Sequence, residues 1–329
     1  MLYVQLAAAA TLACFMWAAD SAGADSGQPA PSQTEAQAII AKADSVFNTR
    51  QYVTARHFYE KALTAAQAVD HKSDMTQALA MIARTYLVED EYEVGFQWLL
   101  KAEKLANIDE PAGWSRYQAV KGRFLWKNNR LDESTALFKT LYEYCIKQNL
   151  YERAVDAAHM VAITGTPQEQ VEWGKKGIDQ AMAGNVTAWL GPLWNNLGAT
   201  YEEMGRFDSS LEAYRKAREY HYSHGTDRNK VLADYAVGHA LCNLKKYEAA
   251  GQWLRPVLTK FEEMREDEFI GLTCRDLGEI SYVSGDYKEA HALFVRAGEL
   301  LKKADMDTWD SAGYSELILR IDETKAKME

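Results

Sequence analysis

The sequence predicts an all-α fold of seven helical hairpins in series, and three spacing regularities carry that reading. A small residue recurs at Ala43, Ala83, Gly122, Ala162, Gly198, Gly238 and Gly278, in steps of 40, 39, 40, 36, 40 and 40 residues. Nine residues after each anchor stands a large apolar residue: Tyr52, Tyr92, Leu131, Val171, Phe207, Tyr247 and Tyr287. Twelve after each is another small residue, and sixteen after is a bulky one: Tyr59, Leu99, Phe138, Ile178, Tyr214, Leu254 and Phe294. A period near 40 accommodates two helices of about 14–18 residues and two short turns. Small residues belong where helices cross closely, and the bulky partners fill the space between them.

Taken in chain order, the first 24 residues differ from the rest. Met1 to Ala19 contains no charged residue, and Ala22-Gly23-Ala24 forms an A-x-A pattern, so residues 1–24 read as an export signal cleaved before Asp25. A basic start is absent, since the first basic residue is Lys42. Two rival readings stay open beside a misassigned start. The 19-residue stretch Met1 to Ala19, apolar but for Gln5 and Thr11, is just long enough to anchor the chain in a bilayer. Thr11-Leu12-Ala13-Cys14 half resembles a lipoprotein start. The leading readings place the protein outside the cytoplasm, periplasmic or secreted, with membrane contact only through an uncleaved N-terminal segment. Residues 25–33 read as a flexible polar leader and residues 34–306 as the repeats.

Within the repeats, Gly205 and Gly285 stand just past a helix, where a left-handed cap is cheap, and Asn129 suits the same role. The fourth hairpin departs from this: Thr164-Gly165-Thr166-Pro167 should stop its first helix before Pro167. Residues 307–329 predict a capping helix. Tyr314, Leu317, Ile318 and Ile321 follow one apolar face, and Ser315, Glu316, Arg320, Asp322 and Glu323 the other.

The stretch Trp194-Asn195-Asn196-Leu197-Gly198-Ala199-Thr200-Tyr201, continued by Gly205, Phe207, Tyr214 and Ala217, resembles the W-x-x-L-G-x-x-Y opening of a tetratricopeptide repeat. The resemblance covers roughly residues 36–304. It is strongest in the fifth hairpin and weakest in the fourth. It implies a right-handed superhelical solenoid whose concave face is lined by the first helix of each pair. The near-40 period resembles the long-repeat branch of the family, as in kinesin light chains and bacterial peptide-sensing regulators, and uncharacterised bacterial repeat proteins look similar.

Composition narrows the function. The formal net charge is −10 with no run of Lys or Arg, which argues against nucleic acid as a partner. No phosphate-binding loop, nucleophile elbow, H-E-x-x-H or paired C-x-x-C is present, so no cofactor and no catalytic site is implied. His221 and His224 lie three apart, short of the four ligands of structural zinc. Cys145, Cys242 and Cys274 read as small buried hydrophobes.

By the resemblance, groove side chains include Arg84, Arg116, Arg123, Trp126, Lys127, His159, Asn195, Tyr235, His239 and Arg275, with Asp44, Asp156, Glu202, Glu203 and Glu279 as the acids there. Arg84, Arg116, Arg123 and Lys127 around Trp126 would form a basic, aromatic patch that receives a protein or peptide with an acidic segment. The competing reading makes these solvated side chains, some paired with acids on neighbouring helices. The expected function is a non-enzymatic interaction scaffold; the main alternative is a peptide-sensing receptor that changes superhelical pitch, and the third is an enzyme whose active site is unreadable in the sequence.

Overall fold

The computed structural model describes residues 35–329, and among them there is no strand. The export segment and leader expected over residues 1–33 lie outside the described residues. Seven hairpins follow in order: α1 (Glu35–Asn48) with α2 (Tyr52–Ala68), α3 (Lys72–Val88) with α4 (Tyr92–Glu103), α5 (Pro111–Lys127) with α6 (Leu131–Lys147), and α7 (Tyr151–Thr164) with α8 (Pro167–Ala183). After a short 3-10 turn at Thr187–Trp189 come α9 (Leu190–Glu203) with α10 (Phe207–His224), α11 (Asp227–Asn243) with α12 (Tyr247–Met264), and α13 (Asp267–Ser284) with α14 (Tyr287–Lys303). One turn, α15 (Met306–Trp309), then leads into α16 (Ser311–Met328).

The anchors explain the hairpins. A Cβ added at Gly122, Gly198, Gly238 or Gly278 would stand 2.6–2.7 Å from Phe138, Tyr214, Leu254 or Phe294 respectively. Each clash is with the residue sixteen positions on, so the repeat pattern records one crossing of first helix on second. The small residue at the twelfth offset closes the same gap. Ser134 Oγ donates to the Gly122 carbonyl at 2.9 Å, and a Cβ at Gly95 would meet the Ala83 carbonyl oxygen at 2.8 Å.

The turns have one geometry. The seventh residue after the anchor takes positive φ in six hairpins: Arg50 (61°), Asp90 (60°), Asn129 (58°), Gly205 (69°), Lys245 (56°) and Gly285 (86°). Paired backbone hydrogen bonds impose it; the Gly205 amide donates to the Glu202 carbonyl and the Arg206 amide to the Tyr201 carbonyl, both at 2.8 Å. The sequence flagged Gly205, Gly285 and Asn129. Arg50, Asp90 and Lys245 hold the same conformation with a side chain, because the closing bonds override the local preference.

The fourth hairpin uses another device. α7 stops at Thr164, Gly165 is extended, and Thr166 caps α8 ahead of Pro167. The Glu169 carboxylate accepts from the Thr166 amide at 2.8 Å, while the Thr166 hydroxyl accepts from the Glu169 amide.

The described residues separate into two compact units, 35–193 and 194–329. In the first, the core runs from Phe47, Tyr59 and Ile82 through Tyr117 and Phe124 to Phe138, Tyr142 and Trp173. One second helix, α4, ends after 12 residues where its counterparts run 17 or 18. An open apolar groove of about 420 Å³ remains beside it, lined by Leu63, Met75, Leu79, Trp98 and Leu105 with Lys101 and Lys104.

In the second unit, Leu211, Tyr214, Val237 and Leu254 continue into Phe261, Phe294, Leu301 and Leu317. Leu317 of α16 is buried and Ile321 packs beside it. Ile318, expected on the apolar face, is 39% exposed. Arg320, expected on the solvent side, instead pairs with Glu279 at 2.7 Å and covers the Tyr282 ring. The α16 helix is therefore rotated so that a guanidinium, and not Ile318, meets α13. Among the described residues, no helix is long and apolar enough to cross a membrane.

Candidate partner-binding site

The first helices bring two recurring positions onto one face: the residue after the anchor and the residue six before it. Seven residues are close to two helical turns, so both point the same way. In unit 35–193 these positions supply Asp44 and Arg84, then Arg116 and Arg123 of α5, then Asp156 of α7.

They interlock across hairpins. Both Arg116 terminal nitrogens donate to Asp44, at 2.6 and 2.7 Å. The Tyr59 hydroxyl donates to the same carboxylate at 2.6 Å. Arg123 donates to Asp156 at 2.5 Å and to the Ala119 carbonyl at 3.0 Å. Burial favours the neutral acid at both carboxylates, but the adjoining guanidiniums outweigh it and hold both pKa values below the ordinary range. The expectation of an accessible basic patch is corrected here. Arg123 is 8% exposed and pairs with Asp156 of the next hairpin, while both terminal nitrogens of Arg116 are held by Asp44, two hairpins before it.

Two further guanidiniums share this face. Arg84 lies 5.0 Å over the Phe47 ring, and its buried Nε has no hydrogen-bond partner among the described residues. Arg153 donates to Gln77 Oε1 at 3.3 Å. Burial first, then neighbouring arginines, lowers each to about 10, so both remain charged at neutral pH. His159 is buried, and desolvation drops it to about 4, leaving it neutral. Four guanidiniums, Arg84, Arg116, Arg123 and Arg153, gather on this face with Asp44 and Asp156. Buried Asp74, which accepts from Gln37 and Gln77, and Glu152 near Arg116 add further negative charge.

Trp126 and Lys127 lie further along α5. Trp126 packs beside the Phe138–Trp173 core, and Lys127 pairs with Asp90 in the preceding turn at 2.5 Å. Arg153 escaped the sequence reading, although its position three before Asp156 and six before His159 puts all three on one helical face.

Unit 194–329 presents a balanced face. His239 of α11 bridges two carboxylates: Nδ1 lies 2.7 Å from Asp276 of α13 and Nε2 lies 2.8 Å from Glu202 of α9. Burial opposes the imidazolium, but Asp276 and Glu202 overcome it and raise His239 to about 10. Tyr235 stacks on the His239 ring at 5.7 Å, and Arg275 sits 3.5 Å from Asp276. Asn195 is half-buried on α9. Sequence reasoning missed Asp276, which neighbours Arg275 two residues before the Gly278 anchor.

Burial pushes the Cys145 thiol up to about 12 and the Cys274 thiol up to about 11.

The tetratricopeptide repeat family model matches residues 191–219, most of the fifth hairpin. No curated protein matches the chain. Among solved structures, the chain is similar to a signal transduction ATPase with numerous domains from Pyrococcus horikoshii that carries a tetratricopeptide repeat sensor. The TM-score is 0.66 at 15% identity, over 84% of this chain and 44% of that one, so this chain spans less than half of that protein. It is also similar to aspartyl phosphate phosphatase F from Bacillus subtilis, with TM-score 0.55 and 11% identity over 80% of this chain and 70% of that one. The Rap conjugation gene regulator of the plasmid pLS20, solved with the Phr* peptide, gives TM-score 0.52 and 15% identity over 88% and 82%. At these identities the likeness is one of fold. With the family match on the fifth hairpin and the same crossing repeated along the chain, the chain carries a tetratricopeptide repeat at residues 191–219 within a solenoid of like-built hairpins.

Proposed function

We propose that the protein is a non-enzymatic interaction module that holds an acidic segment of a partner protein or peptide on the arginine face of residues 35–193. The gathering of four guanidiniums, Arg84, Arg116, Arg123 and Arg153, on one face of a chain of net charge −10 carries the reading. Guanidiniums attract carboxylates and reject cationic segments. The similar plasmid regulator is a complex with a peptide, which supports a peptide-sized ligand. The uncharged run Met1 to Ala19 supports an exported or envelope-associated location.

Selection of a random 12-residue peptide library against the full chain tests the ligand class. Enriched peptides should be rich in Asp and Glu and should release as salt rises. Enrichment of neutral or basic peptides would reject the proposal. Mass spectrometry of the natural protein tests the location, with Asp25 expected as the first residue and an intact Met1 counting against export.

A further inference from the structure

We propose that the groove beside α4 is a second docking surface, which takes an amphipathic helical segment of a partner protein. That segment carries bulky apolar residues on one face and Asp or Glu along its edge. None of the groove's lining residues belongs to the arginine network, so the proposal goes beyond the reading of that face.

The groove follows from where α4 stops. Every other second helix runs 17 or 18 residues, whereas α4 ends at Glu103 after 12. α3 and α4 run antiparallel, with Gly95 against the Ala83 carbonyl. Counting outward from that contact, Met75 comes level with Glu103, the last residue of α4. The five residues that complete a helix elsewhere would add about one and a half turns, or about 7.5 Å. In their place lies an open space of about 420 Å³, floored by Leu63, Met75 and Leu79 and walled by Trp98 and Leu105.

Shape and charge together select the occupant. Leu63, Met75, Trp98 and Leu105 are only half-buried, so a contiguous apolar surface faces solvent there. The lining helices satisfy their own backbone hydrogen bonds and offer no strand edge to an extended peptide. A helix laid into the gap needs none. The rim is positive. Lys101 and Lys104 are exposed, and neither is in an ion pair with a described residue; the Lys101 amine lies 3.7 Å over the Trp98 ring. The acid between them, Glu103, is taken up by the next hairpin, where it accepts from Tyr117 at 2.6 Å and Lys121 at 3.0 Å. A helix with carboxylates beside its apolar face therefore meets both amines, and a basic one is repelled. Trp98, between the apolar floor and the amines, is the anchor expected to carry most of the affinity.

The test titrates three synthetic peptides of about 15 residues, near the length at which isolated helices form, into the full chain by calorimetry. The first carries Leu at i, i+3, i+4 and i+7 spacing with Glu and Gln elsewhere. The second has Lys for every Glu, and the third has Gln for every Leu. The first should bind at least about tenfold more tightly than the second, and the third should not bind. Trp98→Ala should weaken the first about tenfold or more. Lys101→Glu combined with Lys104→Glu should reverse the preference between the first and second peptides. Both lysines are exposed, so the fold is kept, and affinity gained for the Lys peptide cannot come from misfolding. Failure of the first peptide to bind, or equal binding to wild type and both groove variants, would overturn the proposal. So would a chain that self-associates and becomes monomeric on Trp98→Ala, since the groove would then hold a second copy. Peptide binding that survives both groove variants but is lost as salt rises would exclude the groove and leave the arginine face standing.

Discussion

Arg116 and Asp44 form a two-pronged ion pair across 72 residues of sequence, joining the first helix of the third hairpin to that of the first. The contact skips the hairpin between them, so it fixes the spacing of three successive first helices. Arg116→Gln should break this pair and leave a largely buried carboxylate without its main counter-charge. Loss of a buried partner costs about 3–5 kcal/mol, and the 30% exposure of Asp44 places this case at or below the low end. Denaturant unfolding should show it, and Asp44→Asn combined with Arg116→Gln should recover part of the loss. Strictly additive effects would show that the two residues do not interact.

Gly198→Ala should lower the Tm despite its better helix propensity. Its Cβ would stand 2.6 Å from the Tyr214 ring, and overpacking of this kind costs about 1–3 kcal/mol. Tyr214→Leu in the same chain makes room and should remove most of the penalty. An Ala variant as stable as wild type would mean the helices cross elsewhere.

His239 makes stability depend on alkaline pH. Its folded pKa of about 10 lies above the unfolded 6.5, so its contribution is complete below pH 6.5 and is lost as pH rises towards 10. The groups that face it are Glu202 from α9, Tyr235 and Asn243 from its own helix, and Asp276 and Arg275 from α13. Wild-type protein should lose stability across that window. His239→Gln should be weaker at pH 6 and show a flatter profile above it. Identical slopes in the two proteins would remove His239 from the account.

Deleting residues 308–329 should cause aggregation and not only the loss of a tail. The deletion strips Leu317 and Ile321 from the α14 surface and breaks the Arg320–Glu279 pair. An end hairpin then presents its apolar stacking face to solvent. Light scattering after size exclusion should show oligomers; a monomer of unchanged stability would refute the capping role.

Several features needed no tertiary structure. The fit of Gly198 to Tyr214 is written into the chain because each hairpin repeats it, and a periodic constraint leaves a periodic trace. The early stop of α7 was equally legible, since proline and a capping threonine act within one turn. The arginine network was not. Arg84, Arg116, Arg123 and Arg153 look alike in sequence, yet two are tied down and two lack a carboxylate partner. Which guanidinium meets an acid depends on the heights at which separate hairpins stack, and that is settled by packing far along the chain. The same holds for Arg320 and Ile318, where a modest rotation of α16 reverses the solvent side expected from spacing alone. Local periodicity therefore determined the hairpins, the crossings and the turns. Long-range register decided which guanidiniums meet a carboxylate and which do not.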